Sequence, residues 1–240
     1  MCARPFLYRW LRCPAAAYRH GDALLLLDRR AVALHLRKQG YELMGTTTGP
    51  SRLAELCDLV DHPRILCAGD PGADFSVLDD LDGLLIAMAP TTASYEEDQY
   101  RAVYGEAVPA LVESLRQRPR QRPLHISYLS SAGVYGDQSG TITTELSAPD
   151  LSNTTNALLV QAETAVLDLN NPLIQTCVLR LGGIYGPGKD IPSFIRSASG
   201  QPVPKNGNHI NAWVHLADIV RGVDFALQRR LEGTYNLVDD

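Results

Sequence analysis

YLSSAGVYGD, residues 128–137, is the stretch that decides the fold. An apolar run, LHISYLSS (124–131), ends in two serines and turns at once through Val-Tyr-Gly. A buried strand delivers side chains to the carboxyl edge of a sheet in this way. Outward from it, short apolar runs alternate with longer segments of helical period, the signature of a parallel sheet covered by helices. Upstream, DALLLL (22–27), YELMGTT (41–47), RILCAGD (64–70) and LDGLLIAMAP (81–90) are expected strands, with helices over 31–39 and 51–59. The longest helix is expected over 96–116, with a kink at Pro109. RPRQRP (118–123) reads as a surface loop. Downstream, a helix over 155–169, the strand TCVLRLGGIYG (176–186), INAWVHL (210–216), a helix over 218–230 and the strand TYNLVDD (234–240) complete the series.

Composition narrows the function. A chain of 240 residues suits one α/β domain, and its 45% hydrophobic and 20% charged residues are ordinary for a globular protein. No run approaches the length of a membrane span. A net charge of −5 argues against nucleic acid as a partner. The five cysteines, Cys2, Cys13, Cys57, Cys67 and Cys177, are scattered without a Cys-x-x-Cys pair, and are expected to be free thiols in a reducing compartment rather than a disulfide framework or a zinc site. Residues 1–21 read as an N-terminal extension, and residues 1–20 carry four arginines and no acid. They resemble an organelle transit segment or, alternatively, a poorly ordered extension or a start that does not match the functional chain. The expected location is the cytoplasm, or an organelle interior if this segment targets.

SSAGVYGD (130–137), QAETAV (161–166), RLGGIYGPGKD (180–190), WVHLADIV (213–220) and GTYNLVDD (233–240), in this order, resemble the NAD-dependent epimerase/dehydratase family, the extended and atypical branch of the short-chain dehydrogenase/reductases. The resemblance covers roughly residues 22 to 240 as a single domain, with part of a small substrate lobe in about 187–215. It implies a doubly wound, Rossmann-like parallel sheet that holds NAD or NADP across the carboxyl ends of its strands. It also implies that Ser131 polarises a substrate. In the family a Tyr about 20 residues after the Val-Tyr-Gly motif moves the proton, and a Lys four residues later lowers its pKa and holds the nicotinamide ribose. Counting back from Glu163 puts Thr155 and Leu159 at those places. A threonine hydroxyl is too weak an acid and leucine has no charge. No Tyr or Lys occurs between Asp137 and Val178. The one Tyr-x-x-x-Lys, Tyr185 to Lys189, encloses Gly-Pro-Gly and cannot form the helical turn such a pair needs.

The cofactor end departs as well. The first strand meets its helix as LLLLDRRAVALHL, without the family's glycines. Arg29 and Arg30 could bind phosphate by charge, or belong to a solvated turn. After the second strand, GTTTGPSR (45–52) lacks an acid for a ribose 2′-hydroxyl, so Thr46, Thr47 and Arg52 favour NADP over NAD if a dinucleotide binds; Arg52 otherwise reads as an ordinary helix-surface arginine. Asp70 stands either against adenine or as a cap for its own loop. The resemblance further implies cofactor contacts from Ala89, Pro90, Leu181, Gly182 and Tyr185. Tyr135 and Tyr185 are candidates for an alternative acid, or apolar packing residues. His215 is expected to be structural and Asp218 to cap the last helix. Two functions follow: an NAD(P)-dependent oxidoreductase or isomerase acting on a nucleotide-sugar-like small molecule, or an inactive Rossmann scaffold serving as a nucleotide sensor or protein-binding assembly factor.

Overall fold

The structure, a computed structural model, describes residues 29–79, 81–90, 97–192, 196, 200 and 212–239. The strand expected at 22–27, most of the substrate lobe and the Arg29 side chain lie outside the described residues. Helix α1 (Arg29–Lys38) buries Val32, Ala33 and Leu36, a three-and-four spacing that sets one face to the core. It stops at Gly40, whose φ of 87° lets the Tyr41 amide return to the Leu36 carbonyl. Strand β1 (Met44–Thr47) then pairs in parallel with β2 (His62–Ile65) through the short helix α2 (Leu53–Cys57). The β2 segment lies slightly earlier than the apolar run RILCAGD suggested and includes Pro63. Proline is tolerated because β2 is paired only to β1 among the described strands.

Among the described residues four parallel strands form a sheet of their own, in the order β3 (Gly83–Ile86), β4 (Leu124–Ser131), β5 (Ile174–Leu181) and β8 (Gly233–Leu237). The expected strand 176–186 is two strands. Gly182 separates β5 from β6 (Gly183–Tyr185), and β6 pairs with β7 (Trp213–His215). The break exists because the chain from Ala212 crosses against Gly182, where a Cβ would stand 2.9 Å from the Ala212 carbonyl oxygen.

Both faces of the sheet are covered. Ser130 points to Glu163 on α5 (Thr154–Leu167), while His125, an odd number of residues earlier, points to the Leu231 carbonyl beyond the last helix, α6 (Leu216–Arg229). Helix α1 joins α6 through His35 and Tyr41, which both bond Asp224. On the opposite face, α3 (Glu97–Tyr100) runs into a π-helical segment (Arg101–Ala107) and α4 (Val108–Gln117). The expected kink at Pro109 is thus a widened turn just before the proline, which relieves its clash with the preceding carbonyl. Gly105 lies in that segment, where a Cβ would come within 3.2 Å of Leu158 on α5. This is the doubly wound arrangement that the sequence implied.

The cysteines depart from expectation at one place. Cys57 and Cys177 are free thiols, but Cys67 is disulfide-bonded. Sequence spacing says nothing about which thiols the fold brings together.

Candidate functional site

The C-terminal ends of β4, β5 and β8 open onto a cleft of about 750 Å³. β4 ends in Ser131, whose Oγ accepts from the Gly133 amide at 3.0 Å and so caps a 3-10 turn over Ala132–Tyr135. The turn closes at Gly136 with φ 65°, where a Cβ would meet the Asp150 carboxylate at 2.7 Å, so only glycine passes. Helix α5 starts across the cleft, with Asn153 Oδ1 accepting from the Thr155 amide at 2.8 Å. Ser131, Thr155 and Leu159 therefore line one cleft. No Lys, Arg or His is among its described lining residues. The charges there are carboxylates, and hydrogen bonds from Ser152 hold the Asp150 carboxyl below the usual range.

Beneath the cleft lies a buried polar network. Arg180 Nη2 and Nε meet Glu163 at 2.7 and 3.1 Å, with side chains 8% and 3% exposed, and the Ser130 hydroxyl adds 2.6 Å to the same carboxylate. Arg180 Nη1 donates to the Tyr135 hydroxyl at 2.7 Å, which donates to Asn236 Oδ1 at 2.8 Å. The register makes this possible: Ser130, Arg180 and Asn236 stand opposite one another on three adjacent strands. A full salt bridge in so buried a place stands only because each group is paired and hydrogen-bonded. Sequence reasoning did not find this network. Its signal was an arginine inside the apolar run CVLRL and a glutamate on the apolar face of α5, since a buried charge demands a partner.

The predicted residues divide. Ser131, Leu181 and Gly182 line the cleft. Tyr135 lines it too, but is only 5% exposed and its hydroxyl is fully engaged, so it holds the network together. Tyr185 is not a lining residue. Its ring stands edge-on to His215 at 5.1 Å, and a hydrogen bond to the Asp239 carboxylate pushes its pKa up, the wrong direction for an acid. Thr46 and Thr47 are buried at the end of β1. Arg52 reaches Glu55 at 3.4 Å, as a helix-surface arginine would. Asp70 accepts from the Gly72 amide at 2.9 Å and so caps its own loop. Ala89 and Pro90 are half-buried just past β3. His215 is structural: its Nδ1 accepts from the Ala217 amide at 3.2 Å and caps α6. Asp218, expected at the cap, sits inside the first turn and pairs with Arg221, because the chain turns into the helix three residues earlier than the sequence suggested.

The NAD dependent epimerase/dehydratase family model matches residues 30–237. The chain belongs to that family. No curated protein matches it significantly. A functionally unknown conserved protein from Silicibacter pomeroyi is 24% identical with a TM-score of 0.64, covering 91% of this chain and 72% of its own. MoeE5, solved with UDP-glucose and NAD, is 20% identical with a TM-score of 0.67 over 91% of this chain and 76% of its own. The human epimerase family protein SDR39U1, solved with NADPH, is 18% identical with a TM-score of 0.57, over 78% and 70%. At these identities the likeness carries the fold.

The two ends of a dinucleotide site fit the family's cofactor unequally. At the end of β1 the buried Thr47 hydroxyl has no hydrogen-bond partner among the described residues, an unmet polar group where the family holds adenosine. At the cleft, hydroxyls and amides are available, but the cation that holds a nicotinamide ribose is not among the described lining residues. The residues present fit binding better than they fit hydride chemistry.

Proposed function

We propose that this chain is an NAD(P)-binding protein of the epimerase/dehydratase type, nominally an oxidoreductase or isomerase, which takes a nucleotide-sugar-like ligand in its cleft and does not move protons through the family's Tyr-Lys pair. Thr155 and Leu159, one helical turn apart and both lining the cleft beside Ser131, carry this reading. Thr46 and Thr47, in a stretch (45–52) that contains no acid, favour NADP. A nicotinamide bound in the family's manner would exchange a hydride with a carbon of that ligand. Ser131 keeps its hydroxyl hydrogen to donate to the ligand, because its oxygen already accepts from Gly133. Thr155 donates its own hydroxyl to Asn153 at 2.6 Å, and no cation among the described cleft-lining residues stands ready to stabilise an alkoxide.

A second reading, an inactive scaffold that senses a nucleotide or binds a protein partner, is favoured by the absence of a cation among the described cleft-lining residues. Titration with NADPH and then NADH, followed by nicotinamide fluorescence and thermal shift, separates the first reading from a scaffold that binds a protein partner. Micromolar binding of either supports the first. No binding up to millimolar removes it and leaves the scaffold.

A further inference from the structure

The buried network ends on a residue that the proton-transfer argument does not use. Arginine has donors and no acceptor, so Arg180 Nη1 donates to the Tyr135 oxygen at 2.7 Å. The single tyrosine hydrogen then goes to Asn236, whose bonded atom must be the carbonyl oxygen Oδ1 at 2.8 Å. This direction fixes the side-chain amide, because an arrangement with nitrogen toward Tyr135 would leave the tyrosine hydrogen without an acceptor among the described residues. The Asn236 backbone is held separately, its amide donating to Glu145 Oε1 at 2.7 Å. Asn236 is half-buried and lines the cleft, and its Nδ2 makes no hydrogen bond among the described residues.

We infer that Asn236 is a ligand-binding donor of the cleft, presenting Nδ2 to an acceptor oxygen of the ligand, and that Glu163, Arg180 and Tyr135 act as positioning residues that hold its amide in that orientation. The inference rests on the cleft being the ligand site. Ser131 supplies a second donor from β4, two strands from β8 and so roughly 10 Å away. A ligand that meets both presents oxygens at separated points, as a polyhydroxylated molecule does, and Asn236 selects for an oxygen acceptor at its end.

The test uses UDP-glucose as the probe and protein labelled with ¹⁵N at asparagine. Asn236→Asp keeps an oxygen for Tyr135 but has no amide hydrogens, so the signal it loses identifies the Asn236 side-chain NH₂. On adding UDP-glucose to the wild type, that NH₂ signal is expected to shift. Asn236→Asp is expected to bind about tenfold more weakly with an unchanged melting temperature, and the loss is expected to persist at high salt, where charge repulsion is screened. Tyr135→Phe, which removes the orienting hydrogen, is expected to move the NH₂ signal in the ligand-free protein and to weaken binding severalfold. If UDP-glucose shifts the backbone signals of Asn153 and Asn156, which line the cleft, but leaves the Asn236 NH₂ unmoved, the inference fails and the cleft remains the ligand site. If no cleft signal moves up to millimolar UDP-glucose, both are overturned.

Discussion

Acid should unfold this protein through His125. The residue lies in the middle of β4, paired with β3 and β5 on either side, and is 2% exposed. Its Nε2 bonds the Leu231 carbonyl at 3.0 Å, so Nε2 carries the hydrogen, and Nδ1 is buried without a partner among the described residues. Protonation would put a charge and an unmet N–H into the core. Burial therefore pushes the His125 pKa down to about 4 from 6.5, with Arg230 adding to the shift and the Leu231 carbonyl and Glu232 opposing it. The unfolded chain takes up this proton near its ordinary value and the folded chain does not. The stabilisation is thus complete above about pH 6.5 and drains away as the pH falls toward 4. The drop from 6.5 to about 4 corresponds to roughly 3 kcal/mol, most of it gone by about pH 4.5. Urea unfolding of the wild type and of His125→Asn at neutral and at acid pH measures it. Asparagine can still donate to the Leu231 carbonyl but does not titrate, so other acid-sensitive groups cancel in the comparison. The variant should lose roughly 2 to 3 kcal/mol less than the wild type over this window. Equal losses in both proteins would refute the assignment.

Other consequences can be measured as directly. Glu163→Gln leaves Arg180 an uncompensated buried charge, which should cost roughly 3 to 5 kcal/mol and lower the melting temperature by on the order of 10 °C; a loss below about 1 kcal/mol in urea unfolding would contradict the network described. Gly182→Ala puts a methyl against the Ala212 backbone and should cost about 1 to 3 kcal/mol by the same assay, whereas an unchanged midpoint would mean that the crossing is loose. Burial pushes the Cys177 thiol up to about 11, so in the folded protein at pH 8 a thiol reagent followed by peptide mapping should label the exposed Cys57 and spare Cys177 until denaturant is added. Thr155→Tyr with Leu159→Lys should tighten NADH binding about tenfold or more, because the new ammonium can hydrogen-bond a ribose hydroxyl; no gain by fluorescence titration would put the fault at the adenosine end.

The sequence by itself determined the elements and their order. Apolar runs and helical stripes are local, so β4 could be bounded at 124–131 from its composition, and Ser131 at its end was legible as a cleft residue. That Thr155, Leu159 and the glycine-free LLLLDRRAVALHL stand where the resemblance leads one to expect a Tyr, a Lys and a glycine loop was read in the same way, since residue types need no coordinates. What only the tertiary structure decided is how side chains on different strands meet. Arg180, Glu163, Tyr135 and Asn236 lie far apart along the chain, and the register of three parallel strands with one turn of α5 makes them a single network. That network took Tyr135 out of the list of free acids and turned Asn236 toward the cleft. The bonding of Cys67, the capping of α6 by His215 and the division of the sixth strand at Gly182 were hidden likewise, because each depends on which distant segment packs against the residue rather than on the residue's own neighbours.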